Sequence, residues 1–239
     1  MAAMGRLKSC QGNLFKAWKV FAEIEHPNVY HYNKMIKICS RNTATVKHLL
    51  KFMKENAIEP DVVTYTTILN AFKNNLSEFR QLWKEMKGKQ IEPDVISYNT
   101  ALNAFKEDSD EFRKIWKEME GKQILDEVSH MEILDFLEKS GEIGFGKKYY
   151  AEHCSTYLKF CTKGIDCHGL SHGAAVLLLL MYFDENPEKK RIEVISGKGL
   201  HSTLNAMRDY IVSSLKRHYP DIDIKVHNNS GVFDLIMKS

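Results

Sequence analysis

Proline is scarce in this chain, five residues in 239, and cysteine is equally sparse at five. The cysteines form no C-x-x-C pair and are odd in number, which excludes a disulfide framework and suits a reducing compartment. Cys154, Cys161 and Cys167 lie near His153 and His168, but their spacing fits none of the common zinc patterns, so half-buried thiols are expected. Long apolar runs are also missing. The longest, Ala174–Phe183, falls well short of the roughly 18 residues a membrane span needs; it reads as a buried helix, and no membrane partner is expected. Charge of one sign is lacking too: the formal net charge is +3, so any nucleic-acid contact must arise from local arrangement rather than a broad basic field. The N-terminus has no acid before Glu23 and carries Arg6, Lys8, Lys16 and Lys19, a bias shared with organelle presequences. The same stretch, N-L-F-K-A-W-K-V-F-A-E-I, also reads as a helix, and these residues leave the compartment open.

What the chain has instead is a period. Pro27, Pro60 and Pro93 stand 33 residues apart, as do Tyr32, Tyr65, Tyr98 and Met131; Leu50, Trp83, Trp116 and Tyr149 follow suit, and so do Met53, Met86 and Met119. A fixed period of this size marks a solenoid of supersecondary units. Within a unit, Tyr65, Ile68/Leu69 and Phe72 keep the i, i+3/i+4, i+7 spacing of a buried helical stripe, and Phe79, Leu82/Trp83 and Met86 repeat it. Asn74-Asn75 breaks the pattern between the two helices. Ile91-Glu92-Pro93-Asp94 closes the unit, since proline disfavours helix in the residue before it, and Asp61 and Asp94 stand where the next helix needs an N-cap.

The string V-x-Y-N-x-x-L-x-A-F, a helix ending in E-M and a closing I-E-P-D resemble the pentatricopeptide repeat. Four units are expected, at residues 29–61, 62–94, 95–127 and, degenerate, 128–158, with residues 1–28 holding a partial repeat helix. The resemblance implies binding of single-stranded RNA, one base per unit, read by the fifth and last residues of each. Carried across, the reading pairs are Asn33 with Asp61, Thr66 with Asp94, and Asn99 with Glu127. A carboxylate accepts the Watson–Crick N–H of guanine or uracil, whereas adenine N1 would leave it unpaired. By the family's correspondence the pairs favour U, G and U, a core near 5′-U-G-U-3′, with Tyr30, Val63 and Ile96 sandwiching the bases. The structural alternative is that Asp61 and Asp94 only cap helices while Asn and Thr face water.

Beyond residue 158 the periodicity changes. Strand, helix, strand, helix and two closing strands read as a small βαβαββ layer, so the whole chain is expected to be α+β, an all-α solenoid followed by a small α/β domain over 162–239. Ile165-Asp166-Cys167-His168-Gly169, Ser196-Gly197-Lys198-Gly199 and Asn229-Ser230-Gly231 together resemble the hallmark strings of the small MutS-related (Smr) domain. That resemblance implies nucleic-acid binding and, in several members, endonuclease nicking. In the residues, Asp166 is placed to hold a divalent cation such as Mg²⁺ or to orient water, and His168 to shuttle a proton. Gly197, Lys198 and Gly199 would bind the scissile phosphate, and His201 is a second acid–base candidate.

The combination resembles the PPR-SMR family, known mainly from mitochondria and plastids. It implies an RNA-binding endonuclease whose repeats position a transcript for cutting. The rival readings are a non-catalytic RNA adaptor and a DNA-nicking enzyme.

Overall fold

The computed structural model describes residues 2–10, 13–154, 159–161, 164–196, 206–227 and 231–237. The chain forms two compact units, Met1–Leu125 and Asp126–Ser239. The first contains α1 (Ala2–Lys8), α2 (Leu14–Ala22), α3 (Val29–Ile38), α4 (Thr43–Glu55), α5 (Val62–Phe72), α6 (Leu76–Gly88), α7 (Val95–Ala104) and α8 (Ser109–Lys122). Within the repeats α3 pairs with α4, α5 with α6 and α7 with α8, and α3, α5 and α7 pack side by side.

Capping sets this punctuation. The side chains of Asn28, Asp61 and Asp94 accept the orphan N–H three residues on, at the starts of α3, α5 and α7, and Asn42, Asn75 and Asp108 do the same for α4, α6 and α8. The far ends recur as well. Ala57, Gln90 and Gln123 adopt left-handed backbone, with φ of 54°, 59° and 56°. The next residue's N–H then reaches back to a methionine carbonyl: Ile58 to Met53 at 2.9 Å, Ile91 to Met86 at 3.1 Å and Ile124 to Met119 at 3.2 Å. This is the Schellman closure, which stops a helix sharply and satisfies its last carbonyls.

The aromatic stripes are core, as their spacing predicts. Tyr65, Tyr98, Phe79, Phe112, Met86 and Met119 have no exposed surface. A buried phenol needs a partner for its hydroxyl: Tyr65 donates to Glu85 at 3.0 Å and Tyr98 to Glu118 at 2.6 Å. Those carboxylates are met in turn from the preceding repeat by Lys54 at 2.7 Å and Lys87 at 2.8 Å. The partial repeat expected near residues 14–24 is more complete than its sequence suggests, because α1 packs against α2 and α3.

The second unit contains α9 (Glu127–Lys139), α10 (Ile143–His153), β1 (Lys159–Cys161), β2 (Gly164–Asp166), α11 (His172–Glu185), β3 (Arg191–Ile195), α12 (Ala206–His218), β4 (Ile222–Val226) and β5 (Val232–Met237). The sheet order is β1-β2-β3-β5-β4, parallel only between β2 and β3. The expected βαβαββ order is present, with β1 added antiparallel at one edge.

The fourth helix pair, α9 and α10, belongs to this unit and packs on α11. That explains why α11 is apolar all round: every residue from Gly173 to Leu180 is buried. The Gly173 N–H donates to Asp135 Oδ1 at 2.5 Å, so a side chain of α9 caps the start of α11. Glu138 of α9, 3% exposed, accepts from the hydroxyls of Tyr210 and Ser214 on α12. Gly173 permits the crossing, since a Cβ there would meet Asp135 Cα at 2.6 Å and the Leu134 carbonyl oxygen at 2.9 Å. Gly173→Ala should therefore separate α9 from α11 and destabilise the protein by about 1–3 kcal/mol, measured as a lower denaturation midpoint; an unchanged midpoint would show that the helices do not meet there.

Candidate nucleic-acid interface

The first helices of the repeats carry the reading pairs, and capping determines where those side chains lie. Asp61 precedes α5. Its Oδ1 accepts the Thr64 N–H at 2.7 Å, the Thr64 hydroxyl at 2.8 Å and the Asn33 amide at 3.1 Å, and the Thr64 hydroxyl also reaches Asn33 Oδ1 at 2.6 Å. Asp94 repeats the scheme before α7: its Oδ1 accepts the Ser97 N–H at 2.8 Å and the Ser97 hydroxyl at 2.7 Å, and that hydroxyl lies 2.5 Å from Thr66 Oγ1. Asn33 with Asp61, and Thr66 with Asp94, are thus brought together, the second pair through Ser97. The described hydrogen bonds of both aspartates converge on Oδ1. Capping and base reading are therefore compatible: one oxygen caps the helix and the other is left for a donor from outside. Asn33 is 8% exposed, fixed on its partner rather than facing water.

Tyr30, Val63 and Ile96 occupy the second position of α3, α5 and α7 and are 66%, 52% and 62% exposed. Such large apolar groups held out of the core at a fixed interval offer surfaces for stacking or apolar contact. Thr66, Ile96, Thr100, Asn70, Lys37 and Arg41 line a groove of about 900 Å³. It combines threonine and asparagine side chains with two cations, Lys37 and Arg41, of the kind that contact phosphate.

At the third pair the spacing of the units shortens. The I-E-P-D closure of the earlier units becomes Ile124-Leu125-Asp126, one residue shorter. Asp126, not Glu127, caps α9, accepting from Ser129 N–H and hydroxyl at 2.8 Å each; Glu127 is the first helical residue and is exposed. The same slip makes Val128, 53% exposed, the fourth second-position residue, and Met131 the fifth-position residue of α9. The signal was present in sequence as D-x-x-S/T, which Asp61/Thr64, Asp94/Ser97 and Asp126/Ser129 share.

In the second unit, Asp166 ends β2 and its Oδ1 accepts the His168 N–H at 2.8 Å, closing the turn; His168 is exposed. The Cys167 N–H donates to the Ile195 carbonyl at 2.8 Å, and Ser196 donates to the Gly231 carbonyl through its N–H at 2.8 Å and its hydroxyl at 3.0 Å. The described parts of the three motif strings thus meet at one end of the sheet. Gly197, Lys198, Gly199 and His201 lie outside the described residues, as do Asn229 and Ser230. Burial pushes the Cys154 thiol up to about 11 and Cys167 up to about 12, in keeping with inert core cysteines. Among the described residues, the one group of three potential metal ligands is Glu193, His227 and Asp234, and Asp166 is not part of it. No described helix is long and apolar enough to cross a membrane.

Comparison with known proteins agrees with the geometry of the first unit. The pentatricopeptide repeat domain profile matches residues 20–75, 48–108 and 81–125, so this part of the chain consists of pentatricopeptide repeats. No curated protein matches the chain. The PPR domain of Arabidopsis thaliana protein-only RNase P 1, solved with tRNA, superposes with a TM-score of 0.54 at 18% identity, covering 66% of this chain and 90% of that one. Maize PPR10 with an 18-nt psaJ RNA element gives 0.52 at 21% identity. That match takes in 62% of this chain but only 24% of PPR10. Arabidopsis nuclear protein-only RNase P 2 gives 0.51 at 15% identity, over 89% of this chain and 47% of the other. At these identities the likeness establishes the fold.

Burial alone pushes the Asp61 carboxyl upward, but hydrogen bonds from Thr64, Asn33 and the backbone outweigh it and hold it below its ordinary value. For Glu85, burial is again opposed by hydrogen bonds from Lys54 and Tyr65, with a net lowering, and Glu118 behaves alike with Lys87 and Tyr98. Each folded value lies below the unfolded one. Their contribution is therefore complete above the ordinary carboxylate range of about pH 4 and is lost as pH falls through it. Thermal midpoints should fall between pH 5 and 3 (about the carboxylate range), and Glu85→Gln should flatten that fall; an identical pH profile in the variant would exclude this network as its source.

Proposed function

We propose that the repeats bind single-stranded RNA, one base per unit. The observation that carries this reading is the recurring pair of an exposed apolar second residue and an aspartate with one oxygen committed to its cap. A base slides between successive second residues, and the second carboxylate oxygen accepts its Watson–Crick N–H. Because the Asp61 carboxyl is held below its ordinary value, it is ionised, and an acceptor only, at neutral pH. The pairs that lie within the first unit read Asn33/Asp61 and Thr66/Asp94. By the family's correspondence these specify the first two bases of the 5′-U-G-U-3′ core. RNA in complex with two structural neighbours, PPR10 and the protein-only RNase P 1 domain, supports the same class of ligand.

The second unit, in this proposal, is an Smr domain that cuts the RNA so held, in a mitochondrial or plastid setting as the family resemblance implies. The strand order and the gathering of the three strings at one sheet end support it. Asp166 orients the attacking oxygen with the carboxylate oxygen that the turn does not use. His168 takes its proton and returns one to the leaving oxygen. Asp166 is not part of the three-ligand group found among the described residues, and no step is routed through a divalent cation there. The adaptor reading shares every RNA contact and lacks only the cut.

Labelled RNA containing U-G-U, incubated with the protein and with Asp166→Ala, decides between them. Cleavage lost in the variant with binding kept is expected; binding without cleavage by either protein establishes the adaptor. Thr66→Asn should move the preferred second base from G to U, with a change in relative affinity of about 5- to 150-fold, the range of 1–3 kcal/mol per base contact. Unchanged preference in Thr66→Asn would overturn the base assignment.

A further inference from the structure

We propose that Glu193, His227 and Asp234 form a divalent-metal site on the sheet of the second unit. Strands β3 and β5 are antiparallel with Glu193 opposite Asp234, and His227 follows the last residue of β4, which pairs with the other edge of β5. One oxygen from each carboxylate and one imidazole nitrogen lie within 4.8 Å of one another. Two carboxylates directly opposed across a strand pair repel, and a cation shared between them would stabilise the pair.

The cationic side chains nearby do not complete it. Arg191 Nη2 lies 2.6 Å from Asp234 Oδ2, and His227 Nε2 lies 2.9 Å from that same oxygen. Lys225 is the cross-strand neighbour of Asp234 on β4. Asp234 is 1% exposed, and its Oδ1 is buried without a hydrogen-bond partner. A buried carboxylate oxygen left bare is destabilising by more than an ordinary hydrogen bond would return, yet Oδ1 is bare while Oδ2 is shared by two donors. A cation bound at Oδ1 satisfies it and offsets the Glu193 charge in one contact.

The donor set indicates the ion. One imidazole nitrogen with two carboxylate oxygens suits Zn²⁺ or Mn²⁺ better than Mg²⁺ or Ca²⁺, which favour oxygen alone. His227 Nε2 lies 2.9 Å from Asp234 Oδ2, so the imidazole stands beside the carboxylate whose other oxygen, Oδ1, would take the metal, and a small rotation of the ring exchanges that hydrogen bond for a metal bond of about 2.0–2.2 Å. Glu193 is only partly buried, and a rotation of its side chain closes the third side. The site stands apart from Asp166 and depends on neither RNA binding nor cleavage.

The test uses the full chain without an affinity tag, dialysed to equilibrium against Zn²⁺, Mn²⁺ or Mg²⁺ and analysed for bound metal, with affinities from titration calorimetry. One Zn²⁺ or Mn²⁺ per chain is expected, with Mg²⁺ much weaker. Glu193→Gln and His227→Gln should each weaken binding by about tenfold or more, with the far-ultraviolet circular dichroism of the metal-free protein unchanged. These two positions are chosen because a substitution at buried Asp234 can unfold the sheet. Failure to bind either ion, or binding that survives one or both substitutions, overturns the site.

Discussion

The aspartate that opens the second and third repeats is the constraint on which the first unit depends. Its Oδ1 accepts the N–H of a serine or threonine three residues later, and that fixes where one repeat stops and the next begins. The same oxygen draws in the hydroxyl of that residue and, through it or directly, the fifth residue of the preceding repeat. A helix cap worth about 1 kcal/mol thereby becomes a joint between repeats. The described hydrogen bonds of the carboxylate side chain use that one oxygen.

A second joint works on the other helices. Lys54–Glu85–Tyr65 and Lys87–Glu118–Tyr98 are the same triad one repeat apart. An exposed lysine–glutamate pair contributes little by itself. Here the glutamate also satisfies a phenol with no exposed surface, so removing it strands a buried hydroxyl, which is the larger effect. Because each triad ties a repeat to its neighbour, the stability of the array is a sum of nearest-neighbour terms.

Much of this was legible in the sequence, and the failures have physical causes. The period, the paired helices, the aromatic core and the caps at Asp61 and Asp94 all follow from local patterns that a helix must obey. The frame slipped at Ile124-Leu125-Asp126 because counting from proline and tyrosine assumes a constant unit, whereas the chain needs only the cap and its serine to keep their separation of three. The allegiance of α9 and α10 was not legible, since Asp135, Glu138 and Gly173 reveal their roles only when α11 and α12 are in place. Nor was the cluster at Asp234: Glu193, His227 and Asp234 are far apart in sequence and meet only through strand register.

The second unit also shows why a degenerate repeat can persist. The stripes of α9 and α10 depart from the spacing of the earlier repeats because their partner is a different kind of surface, the apolar α11 rather than another repeat. Glu138 is nearly inaccessible and bonded to Tyr210 and Ser214, and burial raises the Asp135 carboxyl even though Ser171 and the Gly173 N–H stabilise its charge. Burying acids in this way is unfavourable unless both are satisfied, and both are satisfied by groups of the α/β layer. A helix pair so committed cannot be removed without leaving α11 uncovered and the Gly173 N–H without its Asp135 acceptor. α9 and α10 thus serve as a structural part of the α/β unit.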